Sequence, residues 1–193
     1  MAKLANGDVK ILAFVGMSGA GKTTAIEALS AAHIPRIYFG GIIYQAMAEA
    51  GIARTPDSER LFREEIRRKE GPDFVVKRAQ AAADKLIASG QKRLIFDGLY
   101  SWTEYKILHQ AYRDKLIVVA VVAPKALRRK RIAARPERPF NAKELAERDA
   151  SEIENLEKGG PIAIADYYLY NEGSLDELKA NTLALAKTIG FIQ

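Results

Sequence analysis

The sequence predicts an α/β fold, in which a five-stranded parallel sheet is covered by helices on both faces. Five short apolar runs rich in β-branched and aromatic residues predict the strands, and helix-like segments separate them. The predicted strands cover residues 9–15, 36–39, 93–96, 116–122 and 167–170. Strands that alternate with helices favour parallel pairing. The run 116–122 is continuously apolar, which is typical of a strand buried on both faces.

A glycine-rich motif follows the first predicted strand. Residues 16–23 read GMSGAGKT and match the pattern G-x-x-x-x-G-K-[ST], and a helix-compatible run begins at Thr24. In this context the glycines let successive N–H groups point inward at phosphate oxygens, and the helix directs its positive end at the same point. Lys22 would reach the β- and γ-phosphates and the Thr23 hydroxyl would bind magnesium. The competing interpretation is a glycine- and serine-rich turn that contains a lysine by chance.

The motif therefore predicts a P-loop NTPase of three layers that uses ATP and Mg²⁺. The residues predicted to bind the nucleotide phosphates are Gly16, Met17, Ser18, Gly19, Ala20, Gly21, Lys22, Thr23 and Thr24.

A second magnesium-binding group is predicted at the end of the third strand. Asp97 follows the apolar run 93–96 and precedes a glycine. Ligands of open α/β sheets bind at the carboxyl edge of the strands, so Asp97 would bind magnesium or a magnesium-bound water beside Thr23. The alternative is a turn aspartate, since Asp-Gly pairs are common in turns.

A basic segment after the fourth strand supplies candidates for charge neutralisation. Arg128, Arg131 and Arg135 are spaced by three and four residues, which predicts one helix face, and Arg138 lies in a proline-bounded insert predicted as a lid over residues 135–141. Phosphoryl transfer needs neutralisation of developing charge, for which arginine is suited. We select Arg131 and Arg135, with Lys22 and Asp97, as the catalytic residues. A solvated basic face is the alternative.

The chain is predicted to form one domain with an inserted lobe. Its core would comprise residues 9–40 and 91–193, and the span 41–90, helical in pattern and highly charged, would form the lobe. Within the lobe, a helix starts near Pro56, Gly71 and Pro72 interrupt it, and a second helix covers 73–88. A last helix over 175–188 would dock through Leu175, Leu178, Leu185 and Ile189.

Composition narrows the classes of function. The 193 residues carry a formal charge of +6 and no cysteine, which excludes disulfides and thiolate metal sites and is typical of a cytoplasmic protein. No apolar run is long enough to cross a bilayer and residues 1–10 show no export signal, so no membrane partner is expected. Aromatic residues are not interleaved with the basic segment, so nucleic acid is a less favoured partner than a polyphosphate.

These motifs together resemble the superfamily of nucleoside monophosphate kinases and dephospho-CoA kinases. The closest resemblance is to a largely archaeal family of dephospho-CoA-kinase-like ATPases. Three blocks carry it: a charged segment around Glu-Gly-Pro in residues 67–78, the Asp-Gly segment 96–101, and Arg148-Asp149 followed by residues 163–174 with their Asn-Glu-Gly-Ser end. The resemblance implies that Asn171 and Gly173 pass near the adenine. A turn with a helix cap at Ser174 is the other interpretation of that block, and the two are compatible.

Two departures from this family bear on the acceptor. Glycine stands after the second strand, in the run 38–44, where the family has an aspartate that would serve as general base. Tyr100 replaces the arginine of the Asp-Gly-Val-Arg motif. A phosphate acceptor is already anionic and needs no strong base, so the missing aspartate favours a small phosphate-bearing nucleotide over an alcohol. The missing arginine removes a clamp for the acceptor phosphate, unless Arg60, Arg63 or Arg67 of the lobe supplies one. Candidate acceptor contacts are Tyr44, Arg63, Tyr100 and Arg138.

The function predicted from the sequence is therefore transfer of the γ-phosphoryl group of Mg-ATP to a small phosphate-bearing acceptor, such as a nucleoside monophosphate or a dephospho-CoA-like nucleotide. The alternative is a nucleotide-dependent ATPase or regulatory ATP-binding protein without small-molecule kinase activity.

Overall fold

The computed structural model describes residues 9–136 and 139–193, apart from the side chains of residues 56, 57, 60, 63, 64 and 67. The strands are β1 Lys10–Val15, β2 Arg36–Tyr38, β3 Arg93–Asp97, β4 Leu116–Val122 and β5 Tyr167–Tyr170. The α-helices are α1 Lys22–Glu27, α2 Phe39–Glu49, α3 Pro56–Glu70, α4 Phe74–Ala88, α5 Trp102–Tyr112, α6 Lys125–Ala133, α7 Ala142–Glu154, α8 Gly159–Ala163 and α9 Leu175–Thr188.

The five strands form one parallel sheet in the order β2-β3-β1-β4-β5. The predicted fold class is therefore confirmed. In the register of the sheet, Phe14 on β1 and Tyr38 on β2 both pair with Asp97 on β3. Because the strands are parallel, the loop after β1, the start of α2 and the end of β3 meet at one edge of the sheet, which is where ligands of such sheets bind.

The pleat of β1 divides the core into two layers. Ile11, Ala13 and Val15 pack with α2, α3, α4 and α5 on one face, and Leu12 and Phe14 pack with α1 and α9 on the other. All six residues of β1 are buried. The central strand is thereby fixed on both faces, and the loop that leaves it starts from a rigid support.

The second predicted strand is one residue too long. Phe39 is the first residue of α2, with Tyr38 as its N-cap in an extended conformation. Phe39 is buried and contacts the ring of Phe96 edge-on at 5.5 Å between centroids, so its apolar character reflects the core and not strand pairing. A short apolar run does not by itself distinguish a buried helix start from a strand.

Helices α2, α3 and α4 fill the span between β2 and β3. Buried residues of all three, including Met47, Phe62 and Val76, belong to the same hydrophobic cluster as the sheet. The helices predicted near Pro56 and up to residue 88 are present, and the second begins at Phe74, one residue later than predicted. The assignment of this span as an acceptor lobe stays a prediction.

Helix α9 has the predicted bounds but not the whole predicted docking stripe. Leu178 is buried, and Leu185 and Ile189 pack against the same cluster, whereas Leu175 is 56% exposed. Leu175 is the first residue of the helix, directly after the cap residue Ser174, and it faces the cleft described below. Among the described residues, no helix combines the length and apolar character that crossing a membrane requires.

Candidate active site

The loop between β1 and α1 has the backbone of a phosphate cradle. Gly16, Gly19 and Gly21 have φ angles of 149°, 80° and 105°, a region that side-chain-bearing residues rarely adopt. A Cβ on Gly16 would lie 2.2 Å from the carbonyl oxygen of Val121, and one on Gly19 would lie 2.8 Å from Ile132. The loop therefore needs glycine both for its conformation and for its close approach to β4 and α6.

Lys22 folds back over this loop. Its Nζ donates to the carbonyl oxygen of Gly16 at 2.5 Å. Burial lowers the pKa of Lys22 to about 7, and the positive charge of Lys158 is the next largest cause. An anion that entered the cradle would favour the charged form of this ammonium, as a polyphosphate does.

Asn171 ties the end of β5 to the phosphate loop. Its Nδ2 donates to the carbonyl oxygen of Ala20 at 2.8 Å, and its backbone N–H donates to Val122 at 2.8 Å. Arg131 donates in turn to the backbone oxygen of Asn171 at 2.9 Å and to its Oδ1 at 3.2 Å. Asn171 is 2% exposed, so most of its atoms support the phosphate loop. It also lines the cleft, and only the atoms that face the cleft could contact adenine.

The predicted basic helix face divides into three different environments. Arg128 is buried, donates two hydrogen bonds to Asp149 at 2.9 and 2.7 Å, and donates a third to the backbone oxygen of Ser18 at 3.0 Å. Arg131 contacts Asn171, and helix α6 ends at Ala133, so Arg135 lies beyond the helix. The expectation of one shared helix face is therefore wrong. Arg131 and Arg135 line the cleft, while Arg128 stabilises the loop.

Asp97 lies at the end of β3 in contact with Arg36. Asp97 is 4% exposed, and the Nε of Arg36 donates to its Oδ2 at 2.8 Å, with a second contact from a terminal nitrogen of the guanidinium. Both hydrogen bonds go to Oδ2, so Oδ1 has no bond to Arg36. Sequence reasoning missed Arg36. The only signal was that Arg36 and Tyr38 are two residues apart on one strand and so share a face.

The loop after Asp97 is fixed by a buried carboxylate. Gly98 has a φ of 99° and packs under the ring of Tyr100, which a Cβ would approach to 2.7 Å. Glu104 accepts hydrogen bonds from the backbone N–H groups of Tyr100 and Ser101, and its own N–H donates to the Ser101 hydroxyl. This capping box starts α5 and sets the position of Tyr100 in the cleft.

The glycines after β2 accommodate a tyrosine. A Cβ on Gly40 would lie 2.5 Å from the Tyr38 hydroxyl, and one on Gly41 would lie 3.0 Å from the ring. Tyr38 therefore covers the first turn of α2, where the resembled family has its aspartate. Tyr44 contacts Tyr38 edge-on at 6.4 Å between centroids, and burial together with Tyr44 and Asp97 raises the pKa of Tyr38.

A third wall comes from α7 and the turn that follows it. Arg148 donates to the Ser18 hydroxyl at 2.8 Å and to Glu152 at 3.2 Å, and that hydroxyl donates to Glu152 at 3.0 Å. Lys158 Nζ lies 2.9 Å from Glu152 Oε2 and 4.7 Å from the centroid of Tyr100. Sequence reasoning assigned no chemistry to Glu152 or Lys158, because a single charge near glycines gives no pattern. Arg148 entered only through the family resemblance.

These elements enclose a cleft of about 800 Å³. Its cationic side chains, six among the described residues, are Lys22, Arg36, Arg131, Arg135, Arg148 and Lys158, and its carboxylates in that part of the chain are Asp97 and Glu152. The volume is that of a pocket for a small molecule, and the excess of positive charge favours a polyanion.

The cleft also fits magnesium in one specific way. Thr23 and Asp97 both line it, but the described residues contain no group of three or more His, Cys, Asp or Glu that could bind a metal ion. Magnesium prefers six oxygen ligands and commonly takes several from phosphates and water. The donor set therefore fits a metal ion that arrives with a polyphosphate and does not fit a permanently bound one.

The remaining predicted positions are placed as follows. Ser18, Gly19, Gly21, Thr23, Thr24, Gly173 and Tyr100 line the cleft. Ala20 is buried in the second core layer, and its carbonyl oxygen accepts from Asn171. Tyr44 contacts the ring of Tyr38. Arg138 and the side chain of Arg63 fall outside the described part of the chain, so these two candidates stay predictions.

Comparison with known proteins gives a family and a fold. A family model described as "AAA domain" matches residues 12–158. A UPF0200 protein of Hyperthermus butylicus is 30% identical over 177 residues, covering 91% of this chain and 92% of the relative. A UPF0200/UPF0201 protein of Archaeoglobus fulgidus is 27% identical over 188 residues, and the chain spans 58% of that relative's length.

Solved structures agree on the fold. A kinase described as putative from Chloroflexus aurantiacus superposes with a TM-score of 0.62 at 15% identity, covering 96% of this chain and 98% of that one. Shikimate kinase from Bacteroides thetaiotaomicron gives 0.60 at 12% identity, with 94% and 98% covered, and a gluconokinase from Sinorhizobium meliloti gives 0.52 at 15% identity, with 96% and 97% covered. At these identities the likeness extends to the P-loop kinase fold.

Proposed function

Because the chain belongs to the AAA domain family and to the UPF0200 proteins, we propose that it is an ATP-dependent phosphotransferase acting on a small phosphate-bearing acceptor. The observation that carries the proposal is that one cleft is lined both by the phosphate loop and by Asp97, Arg36 and Tyr38. The loop offers a place for the donor, and the other three residues offer a place for the acceptor.

The donor half follows from the loop. The backbone of residues 16–23 binds the phosphates of ATP, Lys22 leaves the Gly16 carbonyl for the β- and γ-phosphates, and Gly173 lies toward the adenine. Thr23 and Asp97 would hold Mg²⁺, which would neutralise charge on the phosphates. Arg131 and Arg135 contact the transferring group.

The acceptor half follows from charge. Arg36 and Tyr38 line the cleft, and Asp97 is already paired with Arg36. Asp97 is assigned to magnesium and not to proton removal, and an acceptor oxygen that is already anionic needs no base, whereas a hydroxyl does. A nucleoside monophosphate or a dephospho-CoA-like nucleotide has the required phosphate. The structural neighbours include kinases named for shikimate and gluconate, so alcohols belong in the test.

A second function, ATP hydrolysis or nucleotide sensing without a small-molecule acceptor, is favoured by one observation. Tyr38 covers the start of α2, where the resembled family has a base. In that case the chain would be a nucleotide-dependent ATPase or regulator. Under either function we propose a cytoplasmic location, as a chain without cysteine suggests.

The test is a coupled assay of ADP release with Mg-ATP and a panel of acceptors: nucleoside monophosphates, dephospho-CoA, sugar phosphates, shikimate and gluconate. Release that depends on a phosphate-bearing acceptor supports the proposal. Release that depends on an alcohol contradicts the proposed acceptor class, and release with water alone identifies an ATPase. The Lys22→Ala variant should lose this release, and full activity in that variant would contradict the proposal.

A further inference from the structure

Lys158 is a buried cation that the proposed function leaves without a task. It is 1% exposed, lies in the turn between α7 and α8, and lines the nucleotide cleft. The turn is built to place it there. Glu157 before it has a positive φ of 50°, and the Lys158 N–H closes the turn by donating to the Glu152 carbonyl at 3.1 Å. A non-glycine residue in that conformation is uncommon and strained, and such strain concentrates at functional sites.

The turn is also fixed from outside. Gly160 packs against Trp102, and a Cβ on Gly160 would lie 2.8 Å from the ring. The backbone N–H of Trp102 donates to the Leu156 carbonyl oxygen at 3.2 Å. The start of α5, which carries Tyr100 into the cleft, therefore supports the segment that carries Lys158. The ammonium lies 4.7 Å from the Tyr100 ring centroid, and its partner Glu152 also accepts a hydrogen bond from Ser18 in the phosphate loop.

Two ammonium groups thus face one cleft. Lys22 and Lys158 both line it, so their positive charges share one space. Glu152 compensates by contacting Lys158 at 2.9 Å while it accepts from Ser18 in the loop. A buried ion pair seldom adds stability over apolar residues of the same size, so stability alone does not account for this one. An anionic group between Lys22 and Lys158 would relieve their repulsion.

We propose that Lys158 is a catalytic residue that contacts the γ-phosphoryl group of ATP together with Lys22. Glu152 orients the ammonium before the nucleotide arrives. This inference rests on the proposed function, since it requires ATP in the cleft. It predicts a selective effect, because ADP lacks the group that Lys158 contacts.

The experiment is a calorimetric titration of Mg-ADP and of Mg-AMP-PNP, a non-hydrolysable triphosphate, into the wild type and variants. Lys158→Met keeps the approximate length of the side chain. The double variant Glu152→Gln, Lys158→Met removes both charges of the pair, so no unpaired charge is left buried. Lys130→Met, an exposed lysine of α6, is the matched control. In the single and in the double variant, affinity for the triphosphate should fall about tenfold or more, as expected for the loss of one charge-assisted hydrogen bond. Affinity for ADP should change less than about twofold.

Lys158→Arg should retain most of the preference for the triphosphate, because a cation remains. If the ratio of the two affinities in the double variant stays within about twofold of the wild-type ratio, Lys158 has only a structural role and the inference fails. A wild-type protein that binds neither nucleotide contradicts the proposed function itself. A wild-type protein that binds both, with variants that lose both equally, contradicts the inference alone.

Discussion

Arg36 and Asp97 form an ion pair that joins two neighbouring strands at the binding edge of the sheet. The guanidinium is 38% exposed and the carboxylate 6%, and both hydrogen bonds reach Oδ2. Arg36 therefore fixes the orientation of the side chain proposed to bind magnesium, while Oδ1 is not used by the pair. Orientation of a ligand by a neighbouring group is a common feature of metal sites.

Replacing Arg36 with alanine should destabilise the protein, because it removes a charged hydrogen-bond donor from a buried carboxylate. We expect the free energy of unfolding to fall by about 1.5–3 kcal/mol. Urea denaturation followed by the fluorescence of Trp102, the single tryptophan, measures it. Arg129→Ala on the exposed side of α6 should cost less than about 0.5 kcal/mol. Equal losses in the two variants would show that the pair does not contribute to stability.

The Arg128–Asp149 pair should matter more, since both partners are buried and Arg128 also contacts Ser18. Asp149→Asn leaves the guanidinium without its carboxylate, and we expect a loss of about 3–5 kcal/mol. The double variant Arg128→Met, Asp149→Leu should recover most of that stability and still weaken nucleotide binding, because the hydrogen bond to the phosphate loop is lost. Thermal unfolding and nucleotide titration of the same samples separate the two effects. Full nucleotide affinity in a stable double variant would refute the support of the loop.

Nucleotide binding should take up protons at alkaline pH. The free pKa of Lys22 is about 7, and bound phosphate raises it, so the bound state carries more protons than the free state above pH 7. At pH 8 we expect uptake of nearly one proton at Lys22, and at pH 6 almost none, because the free ammonium is already charged. Calorimetry in two buffers of different ionisation enthalpy measures the uptake. Uptake that is equal at both pH values would contradict the lowered pKa.

Arg131 and Arg135 should differ in their effects although both line the cleft. Arg131 supports Asn171 and through it the loop, so Arg131→Ala should lower both stability and nucleotide affinity. Arg135 lies beyond the end of α6, so Arg135→Ala should leave the melting temperature within about 2 °C and lower turnover by about tenfold or more. Steady-state kinetics beside thermal unfolding makes the comparison. The assignment of Arg135 would be wrong if its removal left turnover intact.

The parts of the site that the sequence predicted are those encoded by local pattern. The loop 16–23 and the strand that ends at Asp97 are each formed by consecutive residues. The glycine pattern predicts the backbone of the loop, and the apolar run predicts the strand. The partners of Arg128 and Asp97 could not be predicted, because Asp149 and Arg36 are distant in sequence and only the sheet order and the packing of α7 bring them together. The spacing of Arg128, Arg131 and Arg135 could not show that the helix ends before Arg135, nor that Arg128 pairs with Asp149.

The most informative disagreement is at the start of α2. The run of two glycines predicted the absence of a base, but not that Tyr38 covers the vacated turn. Leu175 illustrates the same limit, since helix periodicity places it on the docking face while the helix end exposes it to the cleft. Both residues depend on which elements meet at the edge of the sheet, and that information is not local.

The most direct test of the account is a calorimetric titration of Mg-ATP into the wild type and into Lys22→Ala, with Lys130→Ala as the exposed control. We expect one nucleotide bound per chain in the wild type and the control, and at least about a hundredfold weaker binding when Lys22 is removed. No heat of binding in the wild type, or equal affinity in Lys22→Ala, would show that the loop does not bind the nucleotide as proposed.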